Sequence, residues 1–249
     1  MIAYAERVPR PLSRAALLLT VAPLLVVVAL AWWQTVTEAR AMSGMLDGLA
    51  TAGRAMPYDA GALRFGVMWT VMMTAMMLPG VIAVAADRRG PLTGAVVAFG
   101  YLVVWALTFP VAYGAVSAFN AVSQPNAWLD RVGGVIIAVA GVYQFTGYHR
   151  RLWGAHAEND QIRSAAEAFR VGTSHGLRCL GSSWALMSVL LVVGVMSLVW
   201  MAAVSVICLG EKTVTRRATL ATGVGLALVA LGLLILVRPQ TLHVIAETR

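Results

Sequence analysis

The sequence predicts an all-α fold, a polytopic transmembrane helical bundle of about six spans, and its composition carries that prediction. Of the 249 residues, 59% are hydrophobic and only 12% are charged, and the mean hydropathy is +0.77. A bilayer core about 30 Å thick is crossed by roughly 20 apolar residues in a helix, and several stretches reach that length with few charges. We therefore expect an integral membrane protein whose partner is the lipid bilayer.

The charge pattern excludes one class of partner and suggests an orientation. The chain has 19 Lys and Arg residues against 11 Asp and Glu, a formal net charge of +8. These basic residues are scattered between apolar stretches, which is typical of loops beside anionic headgroups and not of a nucleic-acid interface. Six spans place both termini on one side, and a cytoplasmic N-terminus puts twelve of the basic residues inside, as the positive-inside rule favours.

Apolar runs separated by polar, Gly-rich or Pro-rich segments divide the chain. The predicted spans are residues 15–33, 63–86, 92–119, 132–148, 183–209 and 218–237. The regions are an N-terminal helix and polar loop (1–62), a membrane core (63–213) containing a polar segment at 149–178, and a C-terminal helix and tail (214–249). The first span also has a signal-peptide alternative, since small residues flank Arg40, but its apolar run exceeds the usual signal length. In the second span, Pro79 and Gly80 predict a kink.

Methionines are concentrated in the second span, where five of the twelve fall within ten residues. Along a helix these five form two stripes about 100° apart. Thioethers are soft, neutral ligands that suit Cu(I), although methionine also fills gaps between helices, and the residues alone favour packing. The candidate thioether ligands are Met68, Met72, Met73, Met76 and Met77 in the second span and Met187, Met196 and Met201 in the fifth.

Histidine and cysteine supply the other candidate ligands. His149, His156 and His175 belong to the polar segment and Cys179 follows it, so these side chains are candidates to converge on a metal. No compact His pair is present, and solvated loop histidines are the favoured interpretation. We place Cys179 at a loop-to-helix junction and interpret Cys208, within an apolar run, as a small buried hydrophobe. The two cysteines lack the spacing of a zinc site or a disulfide framework.

Two polar pairs near span ends have alternative interpretations. Glu211 and Lys212 close the fifth span and are interpreted as an interfacial stop, with a functional relay as the alternative. Tyr143 and Gln144 are expected to hydrogen-bond between helices, with a substrate contact as the alternative. No catalytic triad, paired carboxylates or phosphate-binding loop is evident, so enzyme function has little direct support.

Several motifs occur in an order that resembles a known family. They read Trp-Thr-Val-Met-Met-Thr-Ala-Met-Met-Leu-Pro at 69–79, Ala-Gly-Val-Tyr-Gln-Phe-Thr at 140–146, Gly-Leu-Arg-Cys-Leu-Gly-Ser-Ser-Trp-Ala-Leu-Met at 176–187, Gly-Val-Met at 194–196, Trp-Met at 200–201 and Glu-Lys at 211–212. Over residues 65–213 the chain resembles the domain-of-unknown-function family 2182, described as predicted metal-binding integral membrane proteins. The resemblance implies a bacterial inner-membrane protein associated with copper and, in one branch, supply of copper to a partner oxidase.

The chain departs from that family's pattern at its cysteines. A cysteine pair expected after the Tyr-Gln-x-Thr motif is absent, and Ser182 and Ser183 stand where the family has two cysteines. Hydroxyl oxygens are poor Cu(I) ligands. Two accounts therefore stay open: a copper site rebuilt from Cys179, His149, His175 and the methionines, or a scaffold retained without metal.

The leading hypothesis is a membrane protein that binds copper and delivers it to a copper-dependent partner protein by ligand exchange. The alternative is a metal-free structural or assembly subunit of a membrane complex. A permease is less favoured, because no inverted repeat is visible.

Overall fold

A computed structural model describes residues 14–42, 61–86, 90–121, 127–146, 162, 164–193, 197–213 and 217–238. These residues form helices and short turns without any strand, which confirms the predicted all-α class. In chain order the helices are α1 (Arg14–Met42), α2 (Gly61–Met77), α3 (Pro79–Ala86), α4 (Pro91–Ala106), α5 (Phe109–Ala121), α6 (Ala127–Gln144), α7 (Ala165–Val193), α8 (Leu198–Thr213) and α9 (Arg217–Val237).

Within the described residues, four helical stretches are long and apolar enough to cross a membrane. They are Leu17–Arg40, Pro91–Ala118, Ala165–Val193 and Ala218–Val237. Helices α2 and α3 make a fifth candidate if they count as one span with a 64° bend. Large apolar side chains on the outer faces, such as Leu63, are exposed, and an extensive apolar exterior is consistent with membrane association.

The bend between α2 and α3 lies at the predicted kink. Pro79 has no backbone N–H to continue the ladder of α2, and the chain turns at Leu78 before α3 begins. The amide of Leu78 still donates to the carbonyl of Thr74 at 3.1 Å, and that of Val81 donates to Leu78 at 3.1 Å. The main chain is therefore hydrogen-bonded across the break, and the axis of α3 is bent by 64° from that of α2.

The sequence predicts a fifth span over residues 183–209 that, at about 40 Å, must tilt, protrude or bend near Gly194, and the described residues divide it between two helices. Helix α7 begins at Ala165 and ends at Val193, and α8 begins only at Leu198. The sequence places residues 165–178 in a polar segment with a short amphipathic surface helix around Ala165 and Phe169. In the structure they form the first half of α7, so Cys179 lies in the middle of a helix and not at a loop-to-helix junction. The polar first half is helical because it packs on α4, a tertiary contact that its hydropathy does not reveal.

Helices α7 and α8 form an antiparallel hairpin. The side chains of Cys179 and Lys212 are 2.9 Å apart although 33 residues separate them. In one continuous helix that separation would be about 50 Å, at 1.5 Å per residue. Helices α7 and α8 therefore run in opposite directions. Cys179 and Lys212 each lie 14 residues from the helix end at this turn, so they meet at the same depth.

Glycines bring two pairs of helices into backbone contact. A Cβ atom at Gly172 of α7 would collide with the carbonyl oxygen of Val97 on α4. A Cβ atom at Gly141 of α6 would lie 2.7 Å from the carbonyl oxygen of Gly225 on α9. Glycine on α6 thus allows close approach to α9, as small residues do between membrane helices.

Candidate functional site

The Cys179 thiol is the centre of a polar cluster inside the helical core. Cys179 is only 3% exposed. Lys212 Nζ donates a hydrogen bond to Cys179 Sγ at 2.9 Å and contacts the Tyr101 hydroxyl at 3.3 Å. That hydroxyl lies 3.0 Å from the sulfur. Three helices, α4, α7 and α8, therefore contribute one side chain each to a closed triangle of sulfur, oxygen and nitrogen, which we call the Cys179 triangle.

Close packing of α4 on α7 places Tyr101 beside the sulfur. Gly172 and Gly176 precede Cys179 on α7, and a Cβ atom at Gly176 would lie 3.0 Å from the Val104 side chain. The Tyr101 ring also lies 5.7 Å from the ring of His175, one turn before Cys179. Because glycine lets the two backbones approach, a tyrosine hydroxyl spans the remaining distance to the thiol.

The Lys212 side chain reaches the sulfur by passing over Gly80, at the start of α3. A Cβ atom at Gly80 would collide with Lys212 Nζ and would lie 3.0 Å from its Cδ atom. Helix α8 is also tied to α2, because the Ser205 hydroxyl donates to the carbonyl of Met76 at 3.1 Å. The α2–α3 break therefore leaves the space that the lysine occupies.

A second thiol lies on the same face of α8. Cys208 precedes Lys212 by one turn, and Ser183 follows Cys179 by one turn, so the antiparallel hairpin sets Cys208 opposite Ser183. The Cys208 thiol is buried. Both cysteines are free thiols, and Cys179 Sγ is 3.9 Å from the Ser183 hydroxyl.

Comparison with known protein families shows which family contains the chain that forms this cluster. Residues 66–235, more than two thirds of the chain, match the sequence model of the PpoB2 family, which is described as a copper chaperone. The chain belongs to this copper chaperone family. The match runs from α2 into α9 and includes every residue of the Cys179 triangle. No curated protein and no solved structure matches the chain.

The donor atoms suit the cargo of a copper chaperone. Thiolate and thioether sulfur are soft ligands that select Cu(I), whereas carboxylates and hydroxyls suit harder ions. The described residues contain no group of three or more His, Cys, Asp or Glu side chains that could hold a metal ion. Cys179 on α7 and Cys208 on α8 supply the thiol sulfur atoms in this part of the core.

The candidate methionines among the described residues lie in the protein core. Met72, Met73, Met76 and Met77 of α2 are at most 2% exposed, and Met68 is partly buried against the same core. This is the packing environment in which methionine fills gaps. Met187 on α7 and Met201 on α8 are buried in the core as well.

Of the predicted nitrogen ligands, only His175 lies among the described residues; His149 and His156, like Met196, lie outside them. His175 is partly buried on α7, against Tyr101. The interpretation of a solvated loop histidine is therefore wrong for His175. It lies one helical turn from Cys179, towards the polar end of α7.

Sequence reasoning missed most of the Cys179 triangle. Tyr101 was not singled out, and the interfacial-stop interpretation of Glu211 and Lys212 is wrong: Glu211 is 2% exposed and the Lys212 ammonium points at a buried thiol. One feature of the sequence does single out Lys212. Lys212 is the only lysine in the sequence, since the other eighteen basic residues are arginines.

The Tyr143 and Gln144 pair connects α6 to the same part of α7. The Tyr143 hydroxyl donates to the carbonyl of Gly181 at 2.6 Å, and its ring packs edge-on against Trp184 with centroids 5.0 Å apart. The predicted hydrogen bond between helices is thus confirmed for Tyr143. Gln144 is 1% exposed, and its amide has no hydrogen-bond partner among the described residues.

Proposed function

We propose that this protein is an integral membrane copper chaperone that binds Cu(I) through Cys179 and Cys208 and delivers it to a copper-dependent partner protein by ligand exchange. The observation that carries the proposal is the Cys179 triangle. It is a buried thiol with an ammonium 2.9 Å from its sulfur, and a second buried thiol, Cys208, stands one helical turn before that lysine, in a chain of a copper chaperone family.

Burial and charge together support metal binding at this position. A metal-binding cysteine is ionised, and a thiolate in an apolar interior needs a compensating charge. Lys212 supplies that charge. A neutral hydrophobic core would gain nothing from a lysine here, because desolvating an ammonium is costly unless it has partners. The triangle is therefore better explained as a site than as packing.

The polarity of α7 indicates how copper is exchanged. Its first half carries Glu167, Arg170 and Arg178, whereas its second half is apolar. Cys179 lies where the two halves meet. His175, one turn towards the polar end, is suitably placed to pass the ion between the thiols and an incoming partner ligand. Stepwise replacement of soft ligands moves the ion without leaving it unligated.

Membrane integration and location are part of the same proposal. Four helical stretches suitable for crossing a membrane support an integral membrane protein. The resemblance to the domain-of-unknown-function family 2182 supports the bacterial inner membrane as the location and a copper-dependent oxidase as the class of partner. Cytoplasmic termini stay a prediction of the positive-inside rule.

The experiment is a competition for Cu(I) between the purified full chain and a chromophoric Cu(I) chelator, in detergent with a reductant. We expect one Cu(I) per chain, lost in Cys179→Ala and weakened in Cys208→Ala. Ser188→Ala is the matched control, because that hydroxyl on α7 bonds to the carbonyl of Ala185, away from the site.

A variant with Met72, Met73, Met76 and Met77 changed to leucine tests the methionine ladder. We expect it to keep most Cu(I) affinity, because these side chains are packed in the core. Loss of binding there, with Cys179→Ala unaffected, would move the site to α2. A wild-type protein that cannot compete with the chelator would refute copper binding and favour the metal-free assembly subunit.

A further inference from the structure

The single lysine of this chain places a positive charge where a cation would bind. Its Nζ atom is 2.9 Å from the Cys179 sulfur and 3.3 Å from the Tyr101 hydroxyl. The ammonium also lies 5.6 Å from the centroid of the Tyr101 ring. A metal ion bound to that sulfur would therefore share its immediate surroundings with a fixed ammonium.

We propose that Lys212 makes the site selective for monovalent soft cations, Cu(I) and Ag(I), and excludes the divalent ions Zn(II) and Cu(II). This inference rests on the proposed function, because it concerns the same two thiols. The argument is electrostatic: a fixed positive charge repels a divalent ion twice as strongly as a monovalent one at the same distance. The difference is large in an interior that water does not screen.

The charges nearest the metal point the same way. Two thiolates, one ammonium and one monovalent cation sum to zero, whereas a divalent cation leaves one positive charge among these groups, and uncompensated charge is costly in an apolar setting. The carboxyl group of Glu211 is also buried and acts electrostatically on Lys212. Every variant proposed below keeps Glu211, so the test compares Cu(I)-to-Zn(II) ratios with that carboxyl group present throughout.

The position of the ammonium is set by the fold. Gly80 lacks the side chain that would block the lysine, and the Tyr101 hydroxyl holds the ammonium from the opposite side. Lysine presents a compact point charge on a flexible stem, whereas arginine presents a broad planar fork.

The test measures Cu(I), Ag(I) and Zn(II) affinities of the purified full chain by competition with chromophoric chelators. Wild type is expected to bind Cu(I) and Ag(I) and to bind Zn(II) much more weakly. In Lys212→Met, which keeps the length and apolar stem of the side chain, the preference for Cu(I) over Zn(II) should fall at least about ten-fold. Lys212→Arg keeps the charge and should keep the preference.

The outcomes separate this inference from the proposed function. Wild-type binding of Cu(I), with an unchanged Cu(I)-to-Zn(II) ratio in Lys212→Met, overturns the selectivity and leaves the copper site. Loss of both metals in Lys212→Met also overturns it, because the lysine would then be required for the site itself. Absence of Cu(I) binding in wild type refutes both. Gly80→Ala provides a second variant, since it displaces the ammonium while keeping it in the chain, and should shift the ratio in the direction of Lys212→Met.

Discussion

The Tyr101 hydroxyl joins the sulfur and the ammonium of the site. It lies 3.0 Å from Cys179 Sγ and 3.3 Å from Lys212 Nζ, and the residue itself is fully buried. The hydroxyl thus contacts both the proposed metal ligand, Cys179, and its counter-charge, the Lys212 ammonium, and it orients these two groups towards each other. The first two predictions concern this arrangement and need no change in the surrounding helices.

Tyr101→Phe should loosen the site while preserving the fold. Each lost hydrogen bond costs about 1 kcal/mol, which corresponds to a factor of about five in an equilibrium or rate constant. We expect Cu(I) transfer to a chelator, followed by stopped-flow absorbance, to become about five-fold faster. Tyr143→Phe is the matched control. It removes a hydroxyl that bonds to Gly181, and equal acceleration in both variants would contradict the role of Tyr101.

Lys212 should be protected from amine-reactive reagents. Because it is the only lysine, the extent of side-chain acylation, read by peptide mass spectrometry, reports this residue alone. Engagement with Tyr101 and Cys179 should slow acylation at least about ten-fold relative to an introduced lysine at exposed position 64 (Arg64→Lys). Equal rates at the two positions would show that the ammonium does not point into the protein.

Helix α7 is the element on which the site depends, and its contact with α4 is a backbone contact. The glycines at positions 172 and 176 let the helices approach until Tyr101 reaches Cys179. The close approach therefore contributes both to stability and to the geometry of the triangle. Substitutions at these glycines should affect the two together.

Gly172→Ala should destabilise the protein. The added methyl group meets the carbonyl oxygen of Val97, and a backbone atom cannot rotate away, so α4 and α7 must separate. We expect unfolding free energy to fall by about 1–3 kcal/mol, the usual cost of overpacking, measured by denaturant titration in detergent. Gly223→Ala on α9 is the control, because nothing lies within 4 Å of its added methyl. A neutral Gly172→Ala would show that α4 and α7 pack less closely than described.

At the scale of the whole molecule, the reversal between α7 and α8 decides which residues meet. The hairpin pairs Cys179 with Lys212, and the same antiparallel register predicts Ser183 opposite Cys208 and, one turn further, Met187 opposite Val204. If residues 183–209 instead formed one helix, positions 187 and 204 would be about 26 Å apart. The two topologies therefore differ by a distance that a short cross-linker can measure.

Cysteines introduced at positions 187 and 204, with Cys179 and Cys208 changed to alanine, should be joined by a short bifunctional thiol reagent in membranes. Cleavage between the helices followed by gel electrophoresis would show whether the fragments stay linked. The control pair is 187 with 199, because Val199 is an exposed residue of α8 and lies off the facing stripe. Absence of linkage in the first pair, or equal linkage in both, would contradict the hairpin.

Local properties of the sequence predicted much of the architecture. Span length and apolarity located α1, the bent pair α2–α3, α4–α5, α6 and α9, because crossing a bilayer imposes a length and a hydropathy on each segment separately. Pro79 predicted the bend, since a missing N–H is a property of one residue. The motifs predicted a copper-related protein, and the family match agrees with that prediction.

The site itself depended on tertiary structure. Tyr101, Cys179 and Lys212 are separated by 78 and 33 residues along the chain, and no pattern of hydropathy states which faces of α4, α7 and α8 will meet. Length predicted that the span over residues 183–209 must tilt, protrude or bend near Gly194, but composition could not choose among these, because the run is apolar throughout. Sequence determined which segments are helices, because that choice depends on neighbouring residues. Packing alone decided which sulfur, hydroxyl and ammonium come together, because contact between helices depends on their relative register and direction.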